Sequence, residues 1–588
     1  MFSDDAQAST RLADHSADWR MAALAAAALA VGSAGVVGAW LLIKLIALAT
    51  NLFWFGHLST AAVDIKDSHL GLATATVPVV GSLVIGAMAR FGSDKIRGHG
   101  IPEAIEAILY GESKLSPKVA LLKPLSSAIS IGSGGPFGAE GPIIMTGGAL
   151  GSLFAQCFHL SAAERKTLLV AGAAAGMTGI FGTPLAAILL AVEVLLFEWK
   201  PRSFVPVVVA VLMSAGLRPF LLGSGPLFPF AGVGTMAISI NLLLGLLVGV
   251  LVGLEATLLS QLLYRVEDLF HRLPVHWMWW PAIGAILVGV GGLIDIRVLG
   301  AGYGNIQQLL DGNLALRLVV SLLIVKAVVW LVALGSGTSG GVLAPLLILG
   351  GALGYLLGML LPGAPGFWAM MGMAAIMSGA MRAPLTGAFF AVELTAHFDA
   401  LPVAMAASAS AYAVSVLVMQ RSILTEKIAR RGRHILQEYT VDPLDFLQAG
   451  DIMTPDPAVL PQEMTVNEAL DFFSSKATHR SYPVVNEQQV LIGLASRGDA
   501  LRWQATGSAR GRTLGEVLSD ASQPAAYPET PIGNVADIMV ETGVGRIPII
   551  DQRTRVVRGI LSRHDLLKAR GMRQRTEIRA RPTIFARA

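Results

Sequence analysis

Glu140 stands in a glycine-rich string, Gly138-Ala-Glu-Gly-Pro142, that has a counterpart 203 positions later, Gly341-Val-Leu-Ala-Pro345. Glycine lets the backbone approach a ligand closely, and proline just inside a helix start has no N–H group to leave unpaired. A helix start carries several free N–H groups and about half a positive charge. These residues therefore predict two helix N-termini that together hold an anion.

Both strings belong to an internal duplication. Each continues into Gly-Gly-Ala-Leu-Gly, at 147–151 and at 350–354, and the segments around Pro184 and Glu193 recur 200 positions later around Pro384 and Glu393. Duplicated halves with apolar segments interrupted by Gly and Pro are typical of membrane proteins whose ion site lies between broken helices. The recurrence of Glu193 as Glu393 also predicts a structural task for both carboxylates.

The composition predicts a polytopic membrane protein. The 588 residues are 54% hydrophobic and 14% charged, with a mean hydropathy of +0.62. Apolar runs of spanning length include 21–49, 167–196, 241–263 and 318–334. The single cysteine, Cys157, excludes an intramolecular disulfide and a cysteine-based metal cluster, and we expect no metal.

Basic residues cluster after the last apolar run, at Arg421, Lys427, Arg430 and Arg431, and again in the tail. By the positive-inside tendency, the C-terminal third is expected in the cytoplasm. Nucleic-acid binding is the alternative explanation of the tail, but no aromatic interleaving or binding fold accompanies it. We divide the chain into a cytoplasmic N-terminal segment (1–18), a membrane domain (19–418), a basic linker (419–449), two soluble copies (450–507 and 508–571) and a basic tail (572–588).

The two soluble copies predict small α/β units, because short apolar strands alternate with helices in each. Each copy contains a Gly-x-x-Ser-x-x-Asp string, and together they resemble a tandem CBS pair. The resemblance implies adenine nucleotide (ATP, ADP or AMP) as a ligand, held by Ser496, Asp499, Ser562 and Asp565. The alternative is that each Ser or Asp only caps its helix and that the pair supports dimerisation.

Three strings, at 98–102, 138–142 and 341–345, resemble the signature strings of the CLC chloride channel and transporter family. The resemblance implies an all-α polytopic membrane domain with an inverted repeat and broken helices, followed by the α/β CBS pair. It also implies transport of chloride or a similar small anion, a homodimer in which each subunit has its own pore, and a location in the bacterial inner membrane. No cofactor is expected to be required.

The family's roles fall on particular residues of this chain. Glu140 matches the gating glutamate, which blocks the path when ionised and opens it when protonated or displaced. The resemblance implies that backbone around the gate and at the second string binds the anion, at Gly138, Ala139, Gly141, Val342 and Leu343.

Two positions depart from the family pattern. His99 stands where the family often has a serine that donates to the central anion, and Leu424 stands where a tyrosine usually donates the other hydroxyl. His99 either donates a ring N–H, becomes cationic in acid, or packs as a neutral side chain that never meets the anion. The inner end of the path is therefore expected to be less polar and differently sized.

Val194 bears on the transport mode. It occupies the place of the inner glutamate that relays protons in many exchangers of the family, and valine cannot carry a proton. We therefore expect channel-like passive chloride conduction gated by Glu140, with proton-coupled chloride/proton antiport as the alternative, since some exchangers also lack that glutamate.

Other functional classes fit the sequence less well. An intramembrane metalloprotease needs His-Glu-x-x-His, and none of the eleven histidines is followed by glutamate. A magnesium transporter needs acidic cation ligands, whereas the broken helices offer N–H donors. A fluoride-specific branch of the same family matches His99 and residues 140–142 poorly. We therefore expect a membrane lipid-embedded anion transporter that is not an enzyme and does not bind nucleic acid.

Overall fold

The computed structural model describes residues 19–230, 238–432, 447–506, 511–518 and 524–568. The chain divides into two compact units between Gln437 and Glu438. The predicted N-terminal segment, the tail at 572–588 and residues 433–446 of the predicted linker lie outside the described residues. Residues 419–432 belong to the first unit, here called the membrane unit.

The membrane unit is built from helices. They are α1 (Trp19–Thr50), α2 (Val77–Phe91), α3 (Ile101–Tyr110), α4 (Pro117–Gly132), α5 (Glu140–Cys157), α6 (Ala162–Phe181), α7 (Pro184–Leu190), α8 (Pro201–Leu222), α9 (Ile238–His271), α10 (Trp280–Ile294), α11 (Tyr303–Leu310), α12 (Leu316–Gly335), α13 (Leu343–Gly358), α14 (Pro365–Met381), α15 (Pro384–Thr395), α16 (Leu401–Val418) and α17 (Thr425–Arg430). π-Helical turns continue α1 at Asn51–Phe55 and α7 at Ala191–Leu196.

Within the described ranges, seven helical segments are long and apolar enough to span a membrane. They are Trp19–Phe55, Gly71–Phe91, Pro201–Leu222, Ser239–His271, Trp277–Ile294, Leu316–Gly335 and Phe398–Val418. Together with the overall composition, these segments confirm the prediction of an integral multi-pass membrane protein.

The apolar run at 167–196 differs from its sequence expectation, because it forms two helices rather than one span. Helix α6 ends at Gly182, whose φ of 68° is left-handed, and Pro184 then begins α7. The second half repeats the break, with Arg382 at a φ of 60° and Pro384 at the start of α15. A left-handed residue closes one helix and proline opens the next, so hydrophobicity alone overstates the continuity of the segment.

The two halves are joined through the repeated glutamates. The carboxylate of Glu193 accepts the backbone N–H groups of Leu385 and Thr386 at 3.1 and 2.8 Å, at the start of α15. Reciprocally, Glu393 accepts those of Leu185 and Ala186 at 2.9 and 2.7 Å, at the start of α7. Each carboxylate thus neutralises a helix start in the opposite half, which is the structural task predicted for the pair.

Glycines allow the central helices to pack at backbone contact. A Cβ on Gly147 of α5 would clash with the carbonyl oxygen of Gly172 on α6. In the second half, a Cβ on Gly372 of α14 would clash with the carbonyl oxygen of Gly350 on α13. The duplicated glycines therefore hold α5 and α13, the two helices that carry the signature strings, at equivalent places in the core.

The C-terminal unit contains two three-stranded sheets. The strands are β1 (Thr454–Pro455), β2 (Leu460–Pro461), β3 (Ser481–Val485), β4 (Leu491–Ser496), β5 (Arg546–Ile550) and β6 (Val557–Ser562), and the helices are α18 (Ala449–Ile452), α19 (Val466–Ser475), α20 (Arg497–Thr506), α21 (Leu514–Leu518) and α22 (Ile532–Glu541). The sheet orders are β1-β6-β5 and β2-β3-β4, and each contains an antiparallel pair, β5–β6 or β3–β4. Two similar α/β units follow one another, as the sequence predicts.

Candidate anion and gating site

The three signature strings meet at one place in the membrane unit. Gly138 and Gly341 form an antiparallel bridge in which the Gly341 N–H donates to the Gly138 carbonyl oxygen at 3.1 Å. Gly98 pairs in parallel with Ser339, just before the second string. Segments more than 200 residues apart in the chain are therefore in direct backbone contact, which the predicted anion site requires.

Three helices begin at this junction. Helix α3 starts at Ile101, α5 at Glu140 and α13 at Leu343. Val342 and Leu343 are fully buried. A helix start leaves N–H groups without intrahelical partners, so the junction gathers several donors and partial positive charges inside the protein. Such a site can hold an anion without the strong attraction of a full positive charge.

The close approach of the three signature strings requires glycine at the junction. A Cβ on Gly141 would clash with the carbonyl oxygen of His99, and a Cβ on Gly341 would lie 2.5 Å from that of Gly138. Any larger residue would push the three strings apart. The glycines identified from the sequence thus serve the close backbone approach that we expected of them.

Glu140 lies at the centre of the junction. Its side chain is fully buried, and its carboxylate folds back over Gly138 and reaches the position that a Cβ on Gly341 would fill. The N–H groups of Glu140 itself and of Ala344 face the carboxylate, and the Tyr303 hydroxyl lies 3.5 Å from Oε1. The carboxylate therefore occupies the space between the starts of α5 and α13.

Tyr303 is a contact of Glu140 that we did not identify from the sequence. It begins α11 after Gly302, which has a φ of 73°, and its hydroxyl accepts the Ala139 N–H at 3.4 Å. Its ring packs against those of Phe181 and Phe228. A signal was present, because Gly300-Ala-Gly302 repeats the Gly98-His-Gly100 string 202 positions later and Tyr303 follows it directly.

A cavity of about 460 Å³ adjoins Glu140 on the side of Tyr303. Ala139 and Tyr303 line it together with charged and polar side chains, namely Asp64, Lys66, Arg297 and Asn305. We call it the outer cavity. Tyr303 lies between this cavity and the carboxylate of Glu140.

A larger cavity of about 950 Å³ reaches the junction from the side of His99. Its lining is rich in both signs of charge, from Arg97, Lys427, Arg430 and Arg431 and from Glu103, Glu106, Glu267 and Asp268. We call it the inner cavity, because the basic residues that follow the last span contribute to it. Glu103 pairs there with Lys427 at 2.8 Å.

His99 is buried beside the inner cavity, with 3% of its surface exposed. Neither ring nitrogen has a hydrogen-bond partner among the described residues. The carbonyl oxygen of His99 contacts Gly141 at the junction, and the imidazole of His99 lies beside the inner cavity. The structure thus brings His99 to the predicted site and leaves its ring nitrogens available.

Leu424 lies in a different environment from a pore-lining tyrosine. It is fully buried at the start of α17 and is not among the residues that line the two cavities. The preceding carbonyl, of Ile423, accepts the hydroxyl of Tyr264 at 2.5 Å. Tyr264 comes from α9 and lines the inner cavity. A tyrosine is therefore present at the inner end, from a helix where no sequence motif indicated one.

Val194 is buried in the π-helical turn that follows α7. Its neighbour Glu193 is the carboxylate that binds the start of α15. The structure thus leaves no acidic group at the position where the resemblance places an inner proton relay.

Two buried lysines support the loops that enter the site, and we did not identify them from the sequence. The Lys123 ammonium donates to the carbonyl oxygens of Ile96 and Gly98 at 2.8 and 2.7 Å. Lys326, 203 positions later, donates to those of Val298 and Gly300 at 2.8 and 2.9 Å. The first loop carries His99 and the second carries Tyr303. The sequence did contain a signal for these lysines, because the duplication places a lysine at the same position in each half.

In the C-terminal unit, the predicted nucleotide ligands form two matching contacts. Asp499 accepts the backbone N–H and the hydroxyl of Ser496, and Asp565 accepts those of Ser562. Arg502 also forms an ion pair with Asp499. These hydrogen bonds are those of helix caps, so the capping role is present in the structure.

Comparison with known proteins gives the class of the chain. A family model described as voltage gated chloride channel matches residues 80–416, and a CBS domain model matches 449–506 and 516–571. The first match covers more than half of the chain, so the chain belongs to the voltage gated chloride channel (CLC) family. Members of this family transport anions across membranes, and the predicted family and fold class are confirmed.

Curated relatives are 30% to 32% identical to the chain over the aligned residues. The H(+)/Cl(-) exchange transporter ClcA of Salmonella typhi is 30% identical over 390 residues, covering 62% of this chain and 81% of the relative. ClcA of Salmonella newport is 32% identical over 323 residues, covering 51% and 67%.

Solved structures share the fold at lower identity. A slow cyanobacterial Cl-/H+ antiporter matches with a TM-score of 0.62 at 20% identity, covering 71% of this chain and 98% of the other. A eukaryotic CLC transporter covers 92% of this chain and 97% of its own, with a TM-score of 0.58 at 19% identity. The second match extends through the CBS region, which supports the same two-part architecture for this chain.

Proposed function

We propose that the protein exchanges chloride for protons across the membrane, with Glu140 as the group that blocks the anion path and carries the proton. The observation that supports this most directly is the position of its buried carboxylate between the starts of α5 and α13. An anion bound by these helix starts would occupy the same space. Carboxylate and chloride therefore compete for one set of N–H donors.

The competition provides a coupling mechanism. An ionised Glu140 is attracted to the helix starts and closes the path. Protonation removes that attraction, so the neutral side chain leaves the donors and chloride takes its place. Return of the side chain expels the anion and releases the proton. Since the same oxygen atoms alternate between a proton and the helix starts, movement of one ion is tied to movement of the other.

The names of the relatives favour exchange over the channel mode that Val194 led us to expect. Both curated relatives are called H(+)/Cl(-) exchange transporters. Passive conduction remains the alternative, because Val194 cannot relay a proton. In a channel, Glu140 would act only as a gate, and the proton gradient would not drive anion flow.

A reversal-potential measurement tests the proposal. The purified chain in liposomes is given a fixed chloride gradient and a proton gradient that is varied. Exchange predicts that the reversal potential shifts with the proton gradient, and that chloride driven down its gradient pumps protons uphill. A reversal potential set by chloride alone would establish a channel. Replacing chloride with fluoride in the same assay tests the fluoride branch.

We also propose, as a separate point, that the CBS pair binds adenine nucleotide through Asp499 and Asp565. Its support is the matched Ser–Asp geometry at the two helix starts, where N–H groups favour phosphate. Titration calorimetry of the full chain with ATP, ADP and AMP tests it, with Asp499→Asn and Asp565→Asn as variants. Heat that these variants abolish supports binding, and no heat with the parent chain leaves capping as their role.

The family architecture further leads us to propose a homodimer with one pore per subunit. Light scattering of the detergent-solubilised chain measures the protein mass directly. A mass of one chain, 61.7 kDa, would contradict the proposal.

A further inference from the structure

Glu255 is an acidic residue at the middle of α9, the membrane helix Ile238–His271. Both of its carboxyl oxygens are buried, and neither has a hydrogen-bond partner among the described residues. Helix α9 is long and apolar enough to span the membrane. An ionisable side chain at such a depth is rare unless it has a function.

Several other carboxylates in the interior of the described membrane unit face polar partners. Glu193 and Glu393 each accept two backbone N–H groups. Glu103 pairs with Lys427 and accepts the Gly100 N–H. Glu140 faces the helix starts at the anion site. Glu255 differs from all of them, because no described residue in its surroundings neutralises an ionised form.

The helices around Glu255 supply little charge. In the described residues, α9 packs against α12, α13, α14 and α16, and the charged residues on these four helices are Arg317 and Lys326. The Lys326 ammonium donates to two loop carbonyls, and Arg317 is exposed near the start of α12. Removing an isolated carboxylate from water into such a setting is unfavourable, so the neutral acid is the favoured form.

Helix geometry places Glu255 on the side of α9 that faces the end of α12. It precedes Val266 by eleven residues, close to three full turns, so the two share a face. Val266 contacts Gly335, where α12 ends and the string toward Leu343 begins. Tyr264, nine residues after Glu255 or about 13 Å along the axis, lines the inner cavity. Nine residues are about two and a half turns, so Glu255 lies deeper along α9 than Tyr264 and on the opposite face of the helix, and it lines neither cavity.

We propose that Glu255 is a second proton-binding group of the transport cycle, and that it supplies the acid that Val194 cannot. It takes up one proton that comes from water, holds it as a neutral carboxylic acid, and returns it to water later in the cycle. No other bond is made or broken. This inference rests on the proposed exchange function, because a channel needs no such group.

The test is Glu255→Gln, which keeps the shape and removes the exchangeable proton. Proton flux is expected to fall by on the order of a hundredfold, as for loss of a proton-transferring side chain, while chloride flux continues. Glu112→Gln, on the surface beside Lys114, is the matched control and should leave both fluxes unchanged. Undiminished proton flux in Glu255→Gln would overturn the proposal.

Two further measurements separate the possible failures. If the parent chain shows no proton flux, the exchange proposal fails first, and infrared spectroscopy still tests Glu255: the carboxylic acid C=O band of the parent should be missing in Glu255→Gln. Absence of that band in the parent would contradict a protonated Glu255. If Glu255→Gln loses both fluxes, recovery in Glu255→Asp supports the need for an acid, and no recovery counts against it.

Discussion

The two halves of the membrane unit place different side chains on equivalent backbone. Glu140 begins α5 in the first half, and Leu343, 203 positions later, begins α13 in the second. Both residues are fully buried, and both helices have proline as their third residue. The halves therefore offer similar positive helix starts, but at this position one of them carries a negative charge and the other an apolar side chain.

The entry loops show the same division. Each loop is held by a buried lysine, Lys123 in the first half and Lys326 in the second. Yet His99 lies in the first loop beside the inner cavity, whereas its counterpart Ala301 lines the outer cavity. The duplicated residues build the scaffold, and the residues that differ give the two sides of the membrane distinct chemistry.

Removing the charge that distinguishes the halves should have the largest effect. In Glu140→Gln the gate cannot ionise, so proton coupling and the pH response of chloride flux are both expected to be lost, while chloride still crosses. Liposome flux at several pH values, with proton uptake recorded in parallel, measures this.

The matched control for that variant is Glu164→Gln, which removes a largely buried carboxylate from the first turn of α6, where it pairs with Arg20. It should alter stability slightly and coupling not at all. If Glu140→Gln kept both its coupling and its pH response, Glu140 would have no part in gating.

Placing a second carboxylate in the other half should have the next largest effect. Leu343→Glu would give α13 the same acidic start as α5, only one residue from the Val342 N–H expected to bind the anion. Two carboxylates at one buried site repel each other and exclude chloride. Chloride flux should therefore fall by more than about tenfold, which corresponds to a loss of more than about 1.4 kcal/mol in the free energy of chloride binding. Leu343→Gln is the uncharged control of similar size. Equal flux in the two variants would place Leu343 away from the anion.

The sequence predicted those parts of the site that depend on backbone. Glycine and proline at 138–142 and 341–345 indicated interrupted helices, and the structure joins these strings through Gly138 and Gly341. Their pattern is local, because a helix start is determined by a few consecutive residues. The duplication then implied that the two starts come together, and the CBS strands and helices followed from equally local alternation.

Contacts between distant side chains could not be predicted in the same way. Tyr303 reaches Glu140 from a helix 163 residues away in sequence, and Tyr264 reaches the carbonyl of Ile423 across 159 residues. Tyr264 belongs to no string that resembles the family's motifs, and the Gly300-Ala-Gly302 repeat marks the loop before Tyr303 but not the contact with Glu140. The prediction of one continuous span at 167–196 was wrong for another reason. Hydrophobicity indicates which residues are buried, and a helix break at Gly182 and Pro184 leaves their burial unchanged.

The buried lysines offer a test of equivalence between the halves. Lys123→Met and Lys326→Met each leave two carbonyl oxygens without their donor. Each unpaired carbonyl lowers the free energy of unfolding by about 1–3 kcal/mol. Both variants should therefore unfold at lower temperature by similar amounts in a detergent melting experiment. Lys326→Gln retains N–H donors and should recover part of the loss. A large effect at one lysine and none at the other would show that the loops are not held alike.

The smallest expected effect concerns Tyr303, which lies at the position of Ile101 in the first half. Its hydroxyl lies 3.5 Å from the Glu140 carboxylate, and a hydrogen bond of this kind contributes about 0.5–1.5 kcal/mol. Tyr303→Phe removes one interaction that keeps the carboxylate in its blocking position. Chloride flux at neutral pH should then rise by about two- to tenfold, the same energy expressed as a ratio.

Tyr355→Phe is the matched control for this change. Tyr355 is a buried tyrosine of α13 whose hydroxyl bonds the carbonyl oxygens of Gly312 and Leu314 rather than the gate. Its replacement should lower the melting temperature and leave the flux at neutral pH as in the parent chain. If the two variants changed flux equally, the effect of Tyr303 would reflect packing in the second half. If only Tyr303→Phe raised it, a residue of the second half would be shown to regulate the charge carried by the first.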